Sequence, residues 1–238
     1  GEPLQPQRYA VESIGEAEAK QFVQREHYSR TYPAARFRVG LLEKRPFEAA
    51  RLVGVAVFSV PMTQAVITKH LDLPANRGVE LGRLVLLEHV PGNGESWFLA
   101  RAFKLLRASL DVDGVVSFCD PIARTDLQGR EVKRSHTGVI YRAHNARYGG
   151  RTMPRSVLLM PNGLCASERS LSKIRNEEVG IQYAMQQLLG AGAPARFLGE
   201  SPSAWLRRLR NEGFLRSVRH PGNHVFTWRW APAGGSCQ

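Results

Sequence analysis

The stretch from Val79 to Asp120 constrains the fold most. VELGRLVLL alternates and branches like a strand, and EHVPGNGES turns the chain. From about Ser96 to Leu110 the residues Phe98, Ala102, Leu105 and Leu106 then recur at helical steps. GVVSFCDP follows, a short and almost wholly apolar strand that ends at Asp120. An apolar run of that kind is covered on both faces, and a strand, helix and strand of these lengths make a crossover between parallel neighbours. The expected fold is therefore α/β, with a parallel pair at the centre of its sheet.

The flanking segments add antiparallel strands. RYAVESI alternates, and SIGE has the pattern of a capping box that opens a helix from about Gly15 to Tyr28, with Phe22 and Val23 on its inner face. ARFRVGLLE and RLVGVAVFSVP read as two strands joined by the turn-rich KRPFEA. HTGVIYRAHNARYGG predicts a helix from about Gly138 to Arg147, stopped by Gly149 and Gly150, with Tyr141, Asn145 and Tyr148 along one face; SVLLM returns as a strand. Residues 1–160 thus suggest one mixed, mostly antiparallel sheet with flanking helices. Residues 161–238 change texture and read as a basic extension. Two helices precede a third with Ser203 near its cap, and a strand pair turns at HPGNH. A winged helix with Arg207, Arg208 and Arg210 on its basic helix has this order, and so would elements that merely cap the first domain.

Charge narrows the partner. The net charge of +12 and a pI near 10.3 favour a polyanion, because each Lys or Arg that meets a phosphate releases condensed counterions. Between Arg124 and Arg155 eight basic residues stand against Asp126 and Glu131, which is half of the net charge in 32 residues. A solvated loop is the plainer account of such a run; a grip on double-stranded DNA is the sharper one, with Arg30, Arg124, Arg130, Lys133, Arg134, Arg147 and Arg151 as its residues. No run of 18 apolar residues appears, and GEPLQPQRYA lacks the regions of a signal peptide. Cys119, Cys165 and Cys237 are odd in number and without metal-ligand spacing. The expectation is a soluble cytoplasmic protein without a membrane partner.

Three places carry chemistry. REHYSRTYP, residues 25–33, ends the first helix and joins His27 to Tyr28, groups able to bind a metal, act as a base or relay a proton, although a helix-terminal histidine beside a packing tyrosine is the commoner case. Asp120 ends a buried strand, where α/β sheets expose ligands, and Pro121 stops the ladder. In PGNGES, the residues Asn93, Gly94 and Ser96 precede a helix whose amides and dipole suit a phosphate or carboxylate, while a serine cap with a Pro-Gly turn explains the same letters.

Taken in order, the helix with HYS, the strand with ELGRL, the helix with NGESWFLARAF, the strand ending SFCDP, and HTGVIYRAHNARYGG resemble the Mom family of phage DNA-modification proteins over residues 8 to 160. That family is similar to the acetyltransferase (GNAT) fold. The resemblance implies an enzyme that converts the N6 amine of adenine in DNA to a carbamoylmethyl (acetamido) adduct, shielding phage DNA from host restriction in the infected bacterium. It also implies that His27, Tyr28, Asp120 and Tyr141 surround the reacting centre, with iron as the metal they would ligate. An acetyltransferase carries a Q/R-x-x-G-x-G/A loop for the coenzyme A pyrophosphate where this chain has EHVPGNGES, which argues against acetyl coenzyme A as the donor. Extrusion of the target base is expected, with Tyr28, Tyr32 or Trp97 to stack on it. Two other readings share the residues: an N-acetyltransferase for a small-molecule or protein amine, and a non-catalytic DNA-binding protein.

Overall fold

In the computed structural model, which describes residues 3–231, the chain forms two compact units. The first takes the chain up to Asp120, then Thr137–Arg151 and the residues from Asn223 onward; the second takes Pro121–His136 and Thr152–Gly222.

The first unit is built on a seven-stranded sheet. Its elements are β1 (Tyr9–Ser13), α1 (Glu16–Glu26), β2 (Ala35–Glu43), β3 (Arg51–Ser59), α2 (Ala65–Leu71), β4 (Gly78–Leu86), α3 (Gly94–Ser109) and β5 (Gly114–Cys119). The second unit begins with β6 (Arg124–Thr125) and β7 (Glu131–Lys133), after which α4 (Val139–Ala143) and β8 (Arg147–Arg151) return to the first. β9 (Arg155–Leu159), α5 (Glu168–Arg175), α6 (Ile181–Gly190), α7 (Pro202–Asn211) and β10 (Arg216–His220) complete the second unit, and β11 (His224–Arg229) closes the first. The large sheet runs β1-β2-β3-β4-β5-β11-β8, and β4 with β5 is its parallel pair.

Alternation along β3 sorts the faces. Val55 and Val57 pack against Ala19, Phe22 and Val23 of α1, while Ala56 and Phe58 face Phe98, Ala102 and Leu106 of α3. Ile67 and Leu71 of α2 cover Val116 and Val225. The side chains of α3 named here are fully buried; each contributes on the order of 1.5–3 kcal/mol by leaving water, Ala102 less.

Two local features shape the centre of this sheet. β4 and β5 pair only from Gly78 with Gly114 to Glu80 with Val116, and then part. Beside that point the β3–β4 register slips between Val57↔Arg83 and Phe58↔Leu81, which makes Gly82 the extra residue of a β-bulge. A Cβ on Gly82 would stand 2.5 Å from Ser59 Oγ, so a bare backbone is needed there.

In the second unit α5, α6 and α7 enclose Leu171, Ile174, Leu188, Trp205 and Leu209, with β9 and β10 paired antiparallel beside them. Trp205 is fully buried, and its indole N–H donates to the Pro194 carbonyl at 2.8 Å.

Three expectations change. The chain does not divide at residue 160, since β11 is a strand of the first unit's sheet, between β5 and β8. HPGNH is not a hairpin: β10 pairs with β9, whereas β11 pairs with β5 and β8. α4 ends at Ala143, Asn145 takes a left-handed conformation (φ 58°), and Tyr148 lies on β8, so Tyr141 and Tyr148 share no helix face. No described helix is long and apolar enough to cross a membrane, and Cys237 lies outside the described residues.

Candidate active site

The parting of β4 and β5 leaves a mouth in the first unit, and the polar groups around it come from five elements. Ser117 of β5 donates its hydroxyl to the Leu81 carbonyl of β4 at 3.1 Å. The Tyr141 phenol of α4 meets the same serine, a contact that favours its ionised form against the stronger effect of burial. Tyr141 is buried against Phe226 and Trp228, and burial holds its hydroxyl far above the ordinary phenol range, helped by Cys119, Glu95 and Tyr28. The seat of α4 depends on Gly138 (φ +75°), where a Cβ would stand 2.1 Å from the Phe226 ring.

The loop after α1 is tied to β4 through a line of hydrogen bonds. Arg83 of β4 donates to the Thr31 carbonyl at 3.0 Å and to Thr31 Oγ1 at 2.6 Å. Thr31 Oγ1 lies 3.1 Å from Ser29 Oγ, which lies 2.8 Å from His27 Nδ1. The Ser29 backbone N–H also donates to that nitrogen at 3.2 Å. A backbone N–H can only donate, so Nδ1 is the acceptor and the neutral ring carries its proton on Nε2. His27 stacks on Tyr28 with ring centroids 4.4 Å apart, and Tyr28 is 39% exposed. Tyr28 is close enough to raise the pKa of both Arg83 and Tyr141.

Two carboxylates lie near these groups, Glu80 beside Arg83 on β4 and Glu95 close enough to raise the pKa of Tyr141. Burial raises the pKa of Glu80, with Arg83 opposing, and burial raises that of Glu95 at the start of α3. Burial also lowers the pKa of Arg83. The site therefore holds acids shifted toward neutrality beside a buried, protonated phenol. Sequence reasoning passed over Glu80, Arg83, Glu95 and Ser117. The signal was a charged pair inside a strand otherwise apolar, in VELGRLVLL, and an unpaired serine inside GVVSFCDP.

Of the residues singled out from the sequence, the structure brings His27, Tyr28 and Tyr141 to this mouth. Asp120 is half-buried directly after β5, next in the chain to Cys119. Tyr32 packs with the α1 cluster and Trp97 lies under Arg101, whose guanidinium is 3.6 Å from its ring centre, so of the three stacking candidates Tyr28 is the most exposed. The Asn93–Ser96 turn does not form the expected anion cradle. Asn93 Oδ1 accepts from the Leu4 N–H at 2.8 Å, Ser96 Oγ donates to the Asn93 carbonyl at 3.1 Å, and the Gly94 N–H donates to the Pro91 carbonyl at 2.7 Å. A Cβ on Gly94 would lie 2.6 Å from Val90, so the turn is packed against protein.

The donor set fits iron poorly. Among the described residues no three His, Cys, Asp or Glu side chains gather as metal ligands. Metal binding through His27 Nε2 would need the proton on Nδ1, where the Ser29 N–H already points.

The basic set divides as well. Arg30, Arg147 and Arg151 are exposed on the first unit, whereas Arg124, Arg130, Lys133 and Arg134 belong to the second. Lys133 is a correction: it is 4% exposed, and its ammonium donates to the Ile122 and Arg134 carbonyls at 2.8 and 2.9 Å, holding the β6–β7 turn instead of facing solvent.

Two solved structures show a distant likeness to the chain. NAA60 of Arabidopsis thaliana in complex with a bisubstrate analogue is 10% identical, with 66% of this chain and 94% of that one covered and a TM-score of 0.42. A tandem GNAT protein from the clavulanic acid biosynthesis pathway, without AcCoA, is 13% identical, with 96% and 100% covered and a TM-score of 0.44. None of the curated proteins compared matches the chain. The model of the Mom protein family matches residues 8–195, and the chain belongs to that family of phage DNA-modification proteins.

Proposed function

We propose that the protein transfers a carbamoylmethyl (acetamido) group to the N6 amine of adenine in double-stranded DNA, and so protects phage DNA from restriction. The observation that carries this reading is the 39% exposure of Tyr28, which neighbours Arg83 of β4 and Tyr141, in a chain of the Mom family. An extruded adenine stacked on Tyr28 would bring N6 to the site where Glu80 and Glu95 stand. The amine sheds a proton when its new bond forms, and a carboxylate with a raised pKa suits that task better than His27, whose Nε2 bears a proton in the neutral ring. His27 instead presents an Nε2–H donor to the leaving group of the donor molecule, which takes up the electron pair of its broken bond to the carbamoylmethyl CH2. Asp120 would complete the surround of the centre. Iron enters only through the family resemblance, and no step here depends on it.

Mass spectrometry of nucleosides from plasmid DNA, isolated after expression of the protein, tests the reading. A new adenosine adduct heavier by the mass of a carbamoylmethyl group supports it. Unmodified DNA in cells that make folded protein and supply the donor would turn the reading toward an acetyltransferase or a binding protein.

A further inference from the structure

Resting on the reading of DNA as substrate, we propose that the second unit carries the main grip on the phosphodiester backbone, through Arg175, Arg207 and Arg210. This unit holds fourteen Lys and Arg against seven Asp and Glu, so about a third of the chain carries +7 of the net +12. The question is which of these cations are available to a phosphate. Arg130 is paired with Asp126 at 2.7 Å, Arg134 with Glu131 at 2.9 Å, and Lys133 is turned inward. Arg208 grips Glu200 with two bonds of 2.9 Å and reaches the Ala195 carbonyl at 2.8 Å. The density of charge in the Arg124–Arg134 segment, so prominent in the sequence, is thus largely compensated at home.

The side chains of Arg175, Arg207 and Arg210 are different. All three are exposed, and none takes part in an ion pair or hydrogen bond among the described residues. Ser203, Arg207 and Arg210 fall four and three apart, so they form one stripe along α7, while Pro202, Trp205, Leu206 and Leu209 bury the other side. Arg175 ends α5 and borders the same hollow of about 220 Å³, whose apolar floor is Leu158, Leu171, Leu206 and Leu215. A ring of guanidinium groups around an apolar floor suits a polyanion that also has C–H surface, as the sugar–phosphate backbone does, better than a bare anion. Arginine's planar fork can bind phosphate oxygens in pairs. Such contacts hold any sequence alike and leave base selection to the mouth in the first unit.

The experiment is fluorescence anisotropy of the full chain with a labelled mixed-sequence duplex over a range of salt concentrations. The R175A/R207A/R210A variant should flatten the slope of log affinity against log salt by about 3, near one unit per phosphate contact, equally on unrelated sequences. Its melting transition should match wild type, and replacement by glutamine provides a second set should the alanines disturb folding. R130A/R134A should change the slope by less than about 1. Wild-type slope in both neutral triples, with flattening instead in R147A/R151A, would overturn the assignment and leave the DNA-modifying reading standing. Failure of the wild-type protein to bind duplex at any salt would overturn that reading, and this inference with it.

Discussion

Ser117 of β5 and Leu81 of β4 are joined by a 3.1 Å hydrogen bond one residue beyond the last parallel pair, Glu80 with Val116. The bond spans the point where the two strands part, and the same hydroxyl meets Tyr141. Ser117→Ala leaves two buried polar groups without their partner, and the expected loss of stability is about 1–3 kcal/mol by urea denaturation. An unchanged midpoint would mean that the mouth is held open by packing alone.

His27 is oriented from β4. Donors run from Arg83 through Thr31 Oγ1 and Ser29 Oγ to Nδ1, so Thr31→Val interrupts the line without touching the ring. The expected result is a loss of roughly tenfold or more in DNA modification, with stability near wild type, since small errors of position are costly in catalysis. His27→Ala should abolish modification while the salt dependence of DNA binding stays as it was. Loss of DNA binding in His27→Ala would reverse the roles of the two surfaces.

Tyr28 separates stacking from hydroxyl chemistry. Tyr28→Phe keeps the ring and should retain most of the activity, whereas Tyr28→Ala should lose about 1–3 kcal/mol of base stacking, seen as a weaker half-saturation with duplex substrate. Equal damage in both variants would assign the role to the phenol.

Stability at low pH should fall through Glu200. The Arg208 guanidinium holds its carboxyl down to about 2 from an ordinary 4.5, so this contribution is present above about 4.5 and is lost as pH falls toward 2. Glu80 and Glu95 have the opposite sign. Their raised pKa values favour the folded state when they are protonated, and that contribution is lost as pH rises through their folded values. Acid titrations of thermal stability should therefore show less acid sensitivity in Glu200→Gln, and a gain at neutral pH in Glu95→Gln.

Gly138→Ala should disturb Tyr141 more than it disturbs the sheet. The left-handed φ and the Phe226 ring leave no place for a methyl group, so α4 must shift. Near-ultraviolet circular dichroism should change in the aromatic bands while the far-ultraviolet signal is kept.

The order of strands and helices up to Cys119 was legible except for α2 (Ala65–Leu71), which sequence reasoning missed, because each other segment has its own period: two along ARFRVGLLE, three and four along α3, and nearly unbroken apolar residues in GVVSF. The segment after His136 was not. Asn145 breaks the helix by its left-handed backbone, a conformation that the periodicity of IYRAHNARY does not reveal, and the strand that follows is exposed and polar. HPGNH has the letters of a hairpin, yet its two strands find better partners far away in the chain, which local turn chemistry cannot foresee. At the site, Tyr141 came in only through the family resemblance, while His27 and Tyr28 stood out as reactive groups side by side. Glu80, Arg83, Glu95 and Ser117 did not, because nothing local marks a carboxylate or hydroxyl whose neighbours come from other strands. Likewise Lys133 looked like a phosphate ligand in a basic run, and only the carbonyls of Ile122 and Arg134 show where its ammonium goes.

The placement of β11 has a consequence for synthesis on the ribosome. Residues 152–222 are made before the strand that fills the gap between β5 and β8, and β11 follows them within two residues, so both leave the ribosome at nearly the same time. Until His224–Arg229 emerges, Val115–Cys119 and Arg147–Arg151 are left with open edges toward one another. The sheet of the first unit is therefore closed by the last strand to be made, and a chain cut short before β11 would keep β5 and β8 as unpaired edges.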